Sequence, residues 1–197
     1  MKEIFTKIYK TNYWAGRQSR SGTGSDLEET HKLRNALPAL FSILDVKSVL
    51  DIPCGDLNWY AKTVFRKHEY IGADIVPELI EANKDRYPVL DFRVLDITKD
   101  ELPKVDLIFT RDCLGHLSEE HIYQAVDNVL RAKPKYFVAT HWPRARKKEI
   151  ADGGWMPINM EHYLDGNFEL IDTIEEDITG KTLGVWEILD EFSRSIY

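Results

Sequence analysis

The chain has 197 residues, of which 43% are hydrophobic, with 26 Lys and Arg against 33 Asp and Glu, giving a formal charge of -7. That length buries a sizeable core without disulfides, so Cys54 and Cys113 are expected reduced, and one domain over residues 1–197 is expected. No apolar run reaches the roughly 20 residues of a membrane span, the start MKEIFTKIYK lacks a signal-peptide core, and the acidic balance argues against a nucleic-acid partner; a cytoplasmic protein is expected. In chain order, residues 12–25 (NYWAGRQSRSGTGS) carry no hydrophobic period and are rich in Gly, Arg and aromatics, which predicts an ordered loop or lid. Ser25 and Glu28 form a capping-box pattern, and Leu27, Leu33, Leu37, Leu40 and Leu44 follow at near-helical spacing. A helix over 26–44 is expected, with Pro38 as a kink or break. Residues 1–45 thus make a lid and helix ahead of a core over 46–190.

Short apolar runs then alternate with helical stretches. Strands are expected at 48–52, 70–75, 92–97, 105–112 and 136–142, and helices at 58–67, at 77–87 with Pro77 in the first turn, and at 119–132 with Ser118 as N-cap. The end differs, because FELIDTIEED and TLGVWEIL are strand-like runs joined through Thr179 and Gly180, which is a hairpin pattern. The fold class that follows is α/β: a doubly wound, mostly parallel, seven-stranded sheet with a C-terminal antiparallel hairpin. Ligands in such sheets bind beyond the carboxyl ends of the strands. Four successive strand ends carry a carboxylate here: Asp51 in VLDIPCGD, Asp74 in IGADI, Asp96 in VLDIT and Asp112 in FTRDCLGHLS. Such carboxylates can accept ribose hydroxyls or an exocyclic amine, while the Gly55 turn lets backbone approach a ligand.

With these motifs the chain resembles the class I S-adenosylmethionine-dependent methyltransferases, over about residues 45–190. The resemblance implies a Rossmann-like methyltransferase fold, S-adenosylmethionine as cofactor, and methyl transfer to an oxygen or nitrogen of a small molecule. It places Asp51, Pro53, Cys54 and Gly55 against the methionine end of the cofactor, Asp74 and Ile75 at the ribose, and Asp96 and Ile97 at the adenine. Arg111 and Asp112 open the fourth-strand loop between cofactor and substrate, and Trp14 and Arg20 belong to the loop that would cover them. Pro53 and Leu57 stand where the family often has glycine, and Pro53 removes one N–H from the turn.

His116 and His141, with Asp112, are candidates for removing a proton from the acceptor. They also have structural alternatives, as loop packing and as a partner for backbone; no HxxxH or HxH spacing supports a metal, and none is expected. Residues 142–163 hold the basic run Arg144, Arg146, Lys147 and Lys148 together with Trp142, Trp155 and Asn159. A solvated basic face competes there with a substrate-binding segment for a sugar or phosphorylated metabolite. Two other functions compete. A nicotinamide-dependent oxidoreductase needs G-x-G-x-x-G after the first strand, which DIPCGD does not supply, and a non-catalytic nucleotide-binding or scaffold protein could use the same fold.

Overall fold

The computed structural model describes residues 1–63 and 68–189. Among these residues seven strands, β1 (Ser48–Asp51), β2 (Glu69–Asp74), β3 (Asp91–Val94), β4 (Leu107–Thr110), β5 (Tyr136–His141), β6 (Phe168–Glu175) and β7 (Thr182–Ile188), form one sheet. Its order is β3-β2-β1-β4-β5-β7-β6. β1 pairs in parallel with β2 and β4, β2 with β3, and β4 with β5, whereas β7 runs antiparallel to both β5 and β6. The order reverses between β1 and β4, so their carboxyl ends open a crevice.

Among the described residues, four α-helices accompany the sheet: α1 (Lys2–Thr11), α2 (His31–Ile43), α3 (Pro77–Arg86) and α4 (Glu119–Ala132). β4 is buried along its whole length, as a central strand covered on both faces must be. On one face Ile122, Ala125, Val126 and Val129 of α4 meet Leu50, Ile108, Phe137 and Ala139. On the other, Leu33, Leu37, Leu40 and Phe41 of α2 meet Val49, Leu107, Phe109 and Val138. A smaller cluster sets Leu79 and Ile80 of α3 against Cys54, Leu57, Val76 and Phe92. No helix among the described residues is long and apolar enough to cross a membrane.

Several local expectations need correction. The α2 helix begins at His31, and Ser25 closes a short 3-10 turn (Thr23–Ser25) instead of capping a helix, so the capping box does not form. Pro38 lies inside α2 without breaking it, because buried Leu33 and Leu37 before it and Leu40 and Phe41 after it anchor both halves to one face. The helix expected over 58–67 is a 3-10 turn at Tyr60–Lys62 in its described part, and residues 64–67 lie outside the described residues. β3 ends at Val94, so Asp96 stands in the turn beyond it. α1 had no predicted counterpart, although Ile4, Phe5 and Ile8 recur at helical spacing. β6 is an outer edge strand, with a register shift between Leu170 and Asp172 against β7.

Candidate active site

A cleft of about 1050 Å³, open mouth included, lies at the carboxyl ends of β1 to β4 under α1 and the loop that follows it. Asp51, Pro53, Cys54, Gly55, Asp74, Ile75, Asp96, Ile97, Arg111, Asp112, His116, Trp14 and Arg20 all line it. The turn after β1 is drawn into place by Ile52 N–H donating to Phe109 O at 2.9 Å and Cys54 N–H to Ala73 O at 2.7 Å. Gly55 has φ +54°, a conformation that favours glycine, and a Cβ there would stand 2.4 Å from Ser21 Oγ, so a side chain would also displace the Ser21 hydroxyl. Leu57 adopts φ +55° as well, and its side chain, 2% exposed in the α3 cluster, shows how an apolar residue fills the place of a family glycine. Asn83 of α3 donates to Gly55 O at 2.7 Å and fixes the turn from the helix side.

Burial pushes the Asp51 carboxyl up to about 7 against the hydroxyl of Tyr70, which donates to Asp51 Oδ2 at 2.8 Å. Burial likewise raises Asp74 to about 6, opposed by the backbone N–H groups of Val76, Gly55 and Ile75; Val76 N–H donates to Asp74 Oδ1 at 3.0 Å. Asp96 accepts at Oδ1 from Thr98 N–H at 3.1 Å and Thr98 Oγ1 at 2.7 Å, which orients its carboxylate within the turn. Three carboxylates thus sit at the ends of three adjacent strands, and two are held at the edge of ionisation near neutral pH.

The fourth strand end carries a buried charge network. Arg111 donates from Nε and Nη2 to Glu176 Oε2 at 3.0 and 2.6 Å, and from Nη1 to Gly24 O at 2.9 Å. Its Nη1 also lies 3.1 Å from Asp112 Oδ2, and its guanidinium stands 5.4 Å from the centre of the Trp59 ring. Lys181 lies 2.7 Å from Asp112 Oδ1 and 3.2 Å from Glu176 Oε2. Burial alone would raise the Asp112 carboxyl, but Arg111 and then Lys181 overcome it and hold the group at about 2. Asp112 therefore stays ionised and acts as a hydrogen-bond acceptor, with its backbone at φ +51° and its N–H on Thr140 Oγ1 at 2.8 Å.

His116 sits in the turn after β4, its ring 4.9 Å from that of Trp14 and its Nδ1 2.6 Å from Gly154 O. A carbonyl oxygen only accepts, so Nδ1 carries the proton and the neutral ring keeps its lone pair on Nε2. Burial lowers its pKa below 6.5, against the Gly154 hydrogen bond and the charge of Asp112. The loop around residue 154 braces this turn, with Gly153 N–H on His116 O and Met156 N–H on Gly115 O, both at 2.9 Å.

The covering loop is latched at several points. Asp56 accepts from Ser19 Oγ at 2.8 Å and from Arg20 N–H at 3.1 Å, Asn58 Nδ2 donates to Ser25 O at 2.9 Å, and Arg111 holds Gly24. Phe5 and Tyr9 of α1 line the cleft beside Trp14.

The remaining candidates lie elsewhere. His141 is 1% exposed; its Nδ1 accepts from Met160 N–H at 3.2 Å and its ring packs edge-on to Trp186. Asn159 is buried, donates to Pro143 O at 3.0 Å and accepts from Glu161 N–H, which caps the turn at 160–162. Trp142 and Trp155 meet edge to face at 6.1 Å outside the cleft wall, with Lys181 Nζ 5.7 Å from the Trp142 ring; Trp155 and Arg144 are exposed. Lys147 pairs with Glu119, so the basic run is partly neutralised. Asp56, Asn83, Glu176 and Lys181 shape the site without having been singled out. Asp56 follows Gly55 directly in the turn motif, whereas the other three carry no sequence signal.

Residues 49–134 match a family model described as a methyltransferase domain. The 235L protein of Invertebrate iridescent virus 6, whose name describes it as a methyltransferase, is 26% identical over 96 residues, a match to 47% of this chain. The match takes in 36% of that viral protein, so the chain spans about a third of the length of its curated relative. Among solved structures, the 1,6-didemethyltoxoflavin-N1-methyltransferase of Burkholderia thailandensis, with bound 1,6-didemethyltoxoflavin and S-adenosylhomocysteine, superposes with a TM-score of 0.66 at 13% identity over 95% of this chain and 88% of its own. The PH0226 protein of Pyrococcus horikoshii OT3 gives 0.64 at 17% identity over 83% and 92% of the two chains. Both share the fold. The family match runs from β1 through α4, the part of the sheet that carries the Asp51, Asp74, Asp96 and Asp112 motifs, and over that span the chain is similar to methyltransferase domains.

Proposed function

We propose that this protein transfers a methyl group from S-adenosylmethionine to an oxygen or nitrogen of a small-molecule acceptor. The observation that carries this reading is the convergence of Asp51, Asp74 and Asp96, at the ends of three adjacent strands, on one cleft beside the Gly55 turn. The donor set fits the cofactor: carboxylates for ribose hydroxyls and amines, close backbone at Gly55, and the apolar walls of Ile75, Val76, Leu95 and Ile97 for a flat base. When bound, S-adenosylmethionine supplies an electrophilic methyl group on a sulfonium. Asp74 would accept from the ribose, Asp96 and Ile97 would border the adenine, and Asp51 and Gly55 would border the methionine end. The loop bearing Trp14 and Arg20 would exclude water above them.

His116 would take the acceptor's proton at Nε2, since Gly154 fixes the proton on Nδ1. Asp112, held ionised, would position the acceptor through a hydrogen bond and not serve as the base. His141 would act only by supporting the loop that carries Met160. The acceptor would approach from the side where the Trp142 ring, which meets Trp155, lies beside Lys181, with Arg144 and Asn159 on the same segment; a sugar or phosphorylated metabolite suits that mix of ring and basic side chains. A small molecule is supported by the neighbour from Burkholderia thailandensis, which holds 1,6-didemethyltoxoflavin.

Calorimetric titration with S-adenosylmethionine, S-adenosylhomocysteine and NAD tests the reading. Binding of the first two but not the third is expected. Binding of NAD alone would favour the oxidoreductase, and tight binding of the methyl donor with no transfer to any acceptor panel would favour a nucleotide-binding protein.

A further inference from the structure

A second hollow lies against the outer side of the covering loop, walled by Tyr9 of α1 and Asn12 just beyond it, Arg17 and Arg20 of the loop, and Asn83 and Arg86 of α3. Three arginines line one concave surface in a chain whose formal charge is -7. The one carboxylate in that wall, Asp56, is already engaged by Ser19 and by the backbone N–H of Arg20. Arginine ion pairs among the described residues involve only Arg93 and Arg111, so none of the three is paired with a carboxylate of the described residues. Arg20 donates to Tyr9 O at 3.3 Å and lies over the Tyr9 ring, and Arg86 lies over the Tyr87 ring at 6.0 Å. Arg17 has no hydrogen-bond or ion-pair partner among the described residues.

Like charges gathered without a counter-charge repel one another, and a guanidinium presents a planar fork of donors that matches the oxygens of phosphate. We infer that this hollow binds a phosphate group, free or as a phosphomonoester, held by Arg17, Arg20 and Arg86 across the seam between the covering loop and α3. The arginines come from both sides of that seam, so an anion between them ties the loop to α3. Tyr9, Arg20, Asp56 and Leu79 also line the cleft, which makes the two sites neighbours through a shared wall. Phosphate and the docked loop therefore favour each other reciprocally. The phosphate site itself stands apart from the proposed methyl transfer and is tested without the cofactor.

The whole protein is titrated calorimetrically with sodium phosphate and, separately, with glycerol 3-phosphate, at an ionic strength fixed with sodium chloride. One saturable site per chain is expected, weakened roughly tenfold or more in Arg17→Gln or Arg86→Gln, as loss of a charge-assisted contact implies. Both side chains are exposed, and unchanged urea midpoints in the variants would show that the fold is intact. Whichever of the two anions binds more tightly identifies the source as free phosphate or ester. As a second readout, phosphate should slow chymotrypsin cleavage at exposed Tyr13 in the parent and not in the double variant. No saturable binding at millimolar phosphate, or an affinity unchanged in the double variant, overturns the site. Tighter binding of a single-stranded oligonucleotide through the same arginines overturns it in favour of a nucleic-acid surface.

Discussion

Glu176→Gln tests whether the buried charge network behind the cleft depends on charge balance. Two cations, Arg111 and Lys181, face two carboxylates, Asp112 and Glu176, and Glu176 is 5% exposed. The amide keeps the size of the side chain and removes one negative charge, leaving Asp112 alone to face both cations. Breaking a buried pair on one side costs about 3–5 kcal/mol, and the lower end applies because Lys181 can move wholly onto Asp112. With a urea m-value of about 2 kcal/mol/M, a loss of about 3 kcal/mol lowers the unfolding midpoint by about 1.5 M. Adding Lys181→Met removes the unmatched cation and restores the balance between Arg111 and Asp112. The double variant should therefore recover more than half of the loss. A midpoint shift in Glu176→Gln equivalent to less than about 1 kcal/mol, the worth of a surface pair, or no recovery in the double variant, refutes the reasoning.

Three further outcomes follow from the site. Asp74→Ala should weaken S-adenosylmethionine binding by about 2 kcal/mol, as loss of a charge-assisted contact does, and unchanged affinity in a calorimetric titration would remove Asp74 from the ribose site. His116→Asn should lower turnover roughly 100-fold with cofactor affinity nearly intact; because the neutral ring is the base and its pKa lies below 6.5, the parent's acid limb should fall below that pH and vanish in the variant. Burial raises Asp51 to about 7 and Asp74 to about 6 from 3.8, so the fold favours their protonated forms. Their contribution is complete below the unfolded value and is lost as pH rises through the folded values, so the urea midpoint of the ligand-free protein should drop between about pH 4 and pH 7, and drop less in Asp51→Asn.

The sheet and its ligand-binding edge were legible because each apolar run stops at a charged residue, and Asp51 and Asp74 are indeed the last residues of β1 and β2. Strand parity also bears on His141. It shares a face of β5 with Phe137 and Ala139, both in the α4-side core, so its ring was bound to turn inward toward Met160 and Trp186. What could not be read is pairing between distant elements. Glu176 reaches Arg111 from 65 residues away, and an acidic residue beside a hairpin turn looks like any solvated turn. The latches of the covering loop had the same character. Ser19, Ser21 and Gly24 lie in a segment legible as a lid, but nothing in the sequence named Asp56, Gly55 and Arg111 as what lies beneath them. The short turn at 60–62 is made of Tyr60, Ala61 and Lys62, which suit a helix equally well.

The bulged outer strand has a bearing on association. β6 leaves a row of backbone donors and acceptors facing solvent, with Leu170 and Ile171 about 40% exposed, and such an edge is a template for a strand of another molecule. Two features blunt it. The register shift at Leu170/Asp172 twists the edge away from a straight partner, and Glu169, Asp172 and Glu175 would bring acid against acid if two copies met along it. At the opposite margin, β3 has only four residues and carries the Asp91–Arg93 ion pair. Both margins of the sheet therefore resist edge-to-edge growth, and the chain can keep a seven-stranded open sheet without closing it into a barrel.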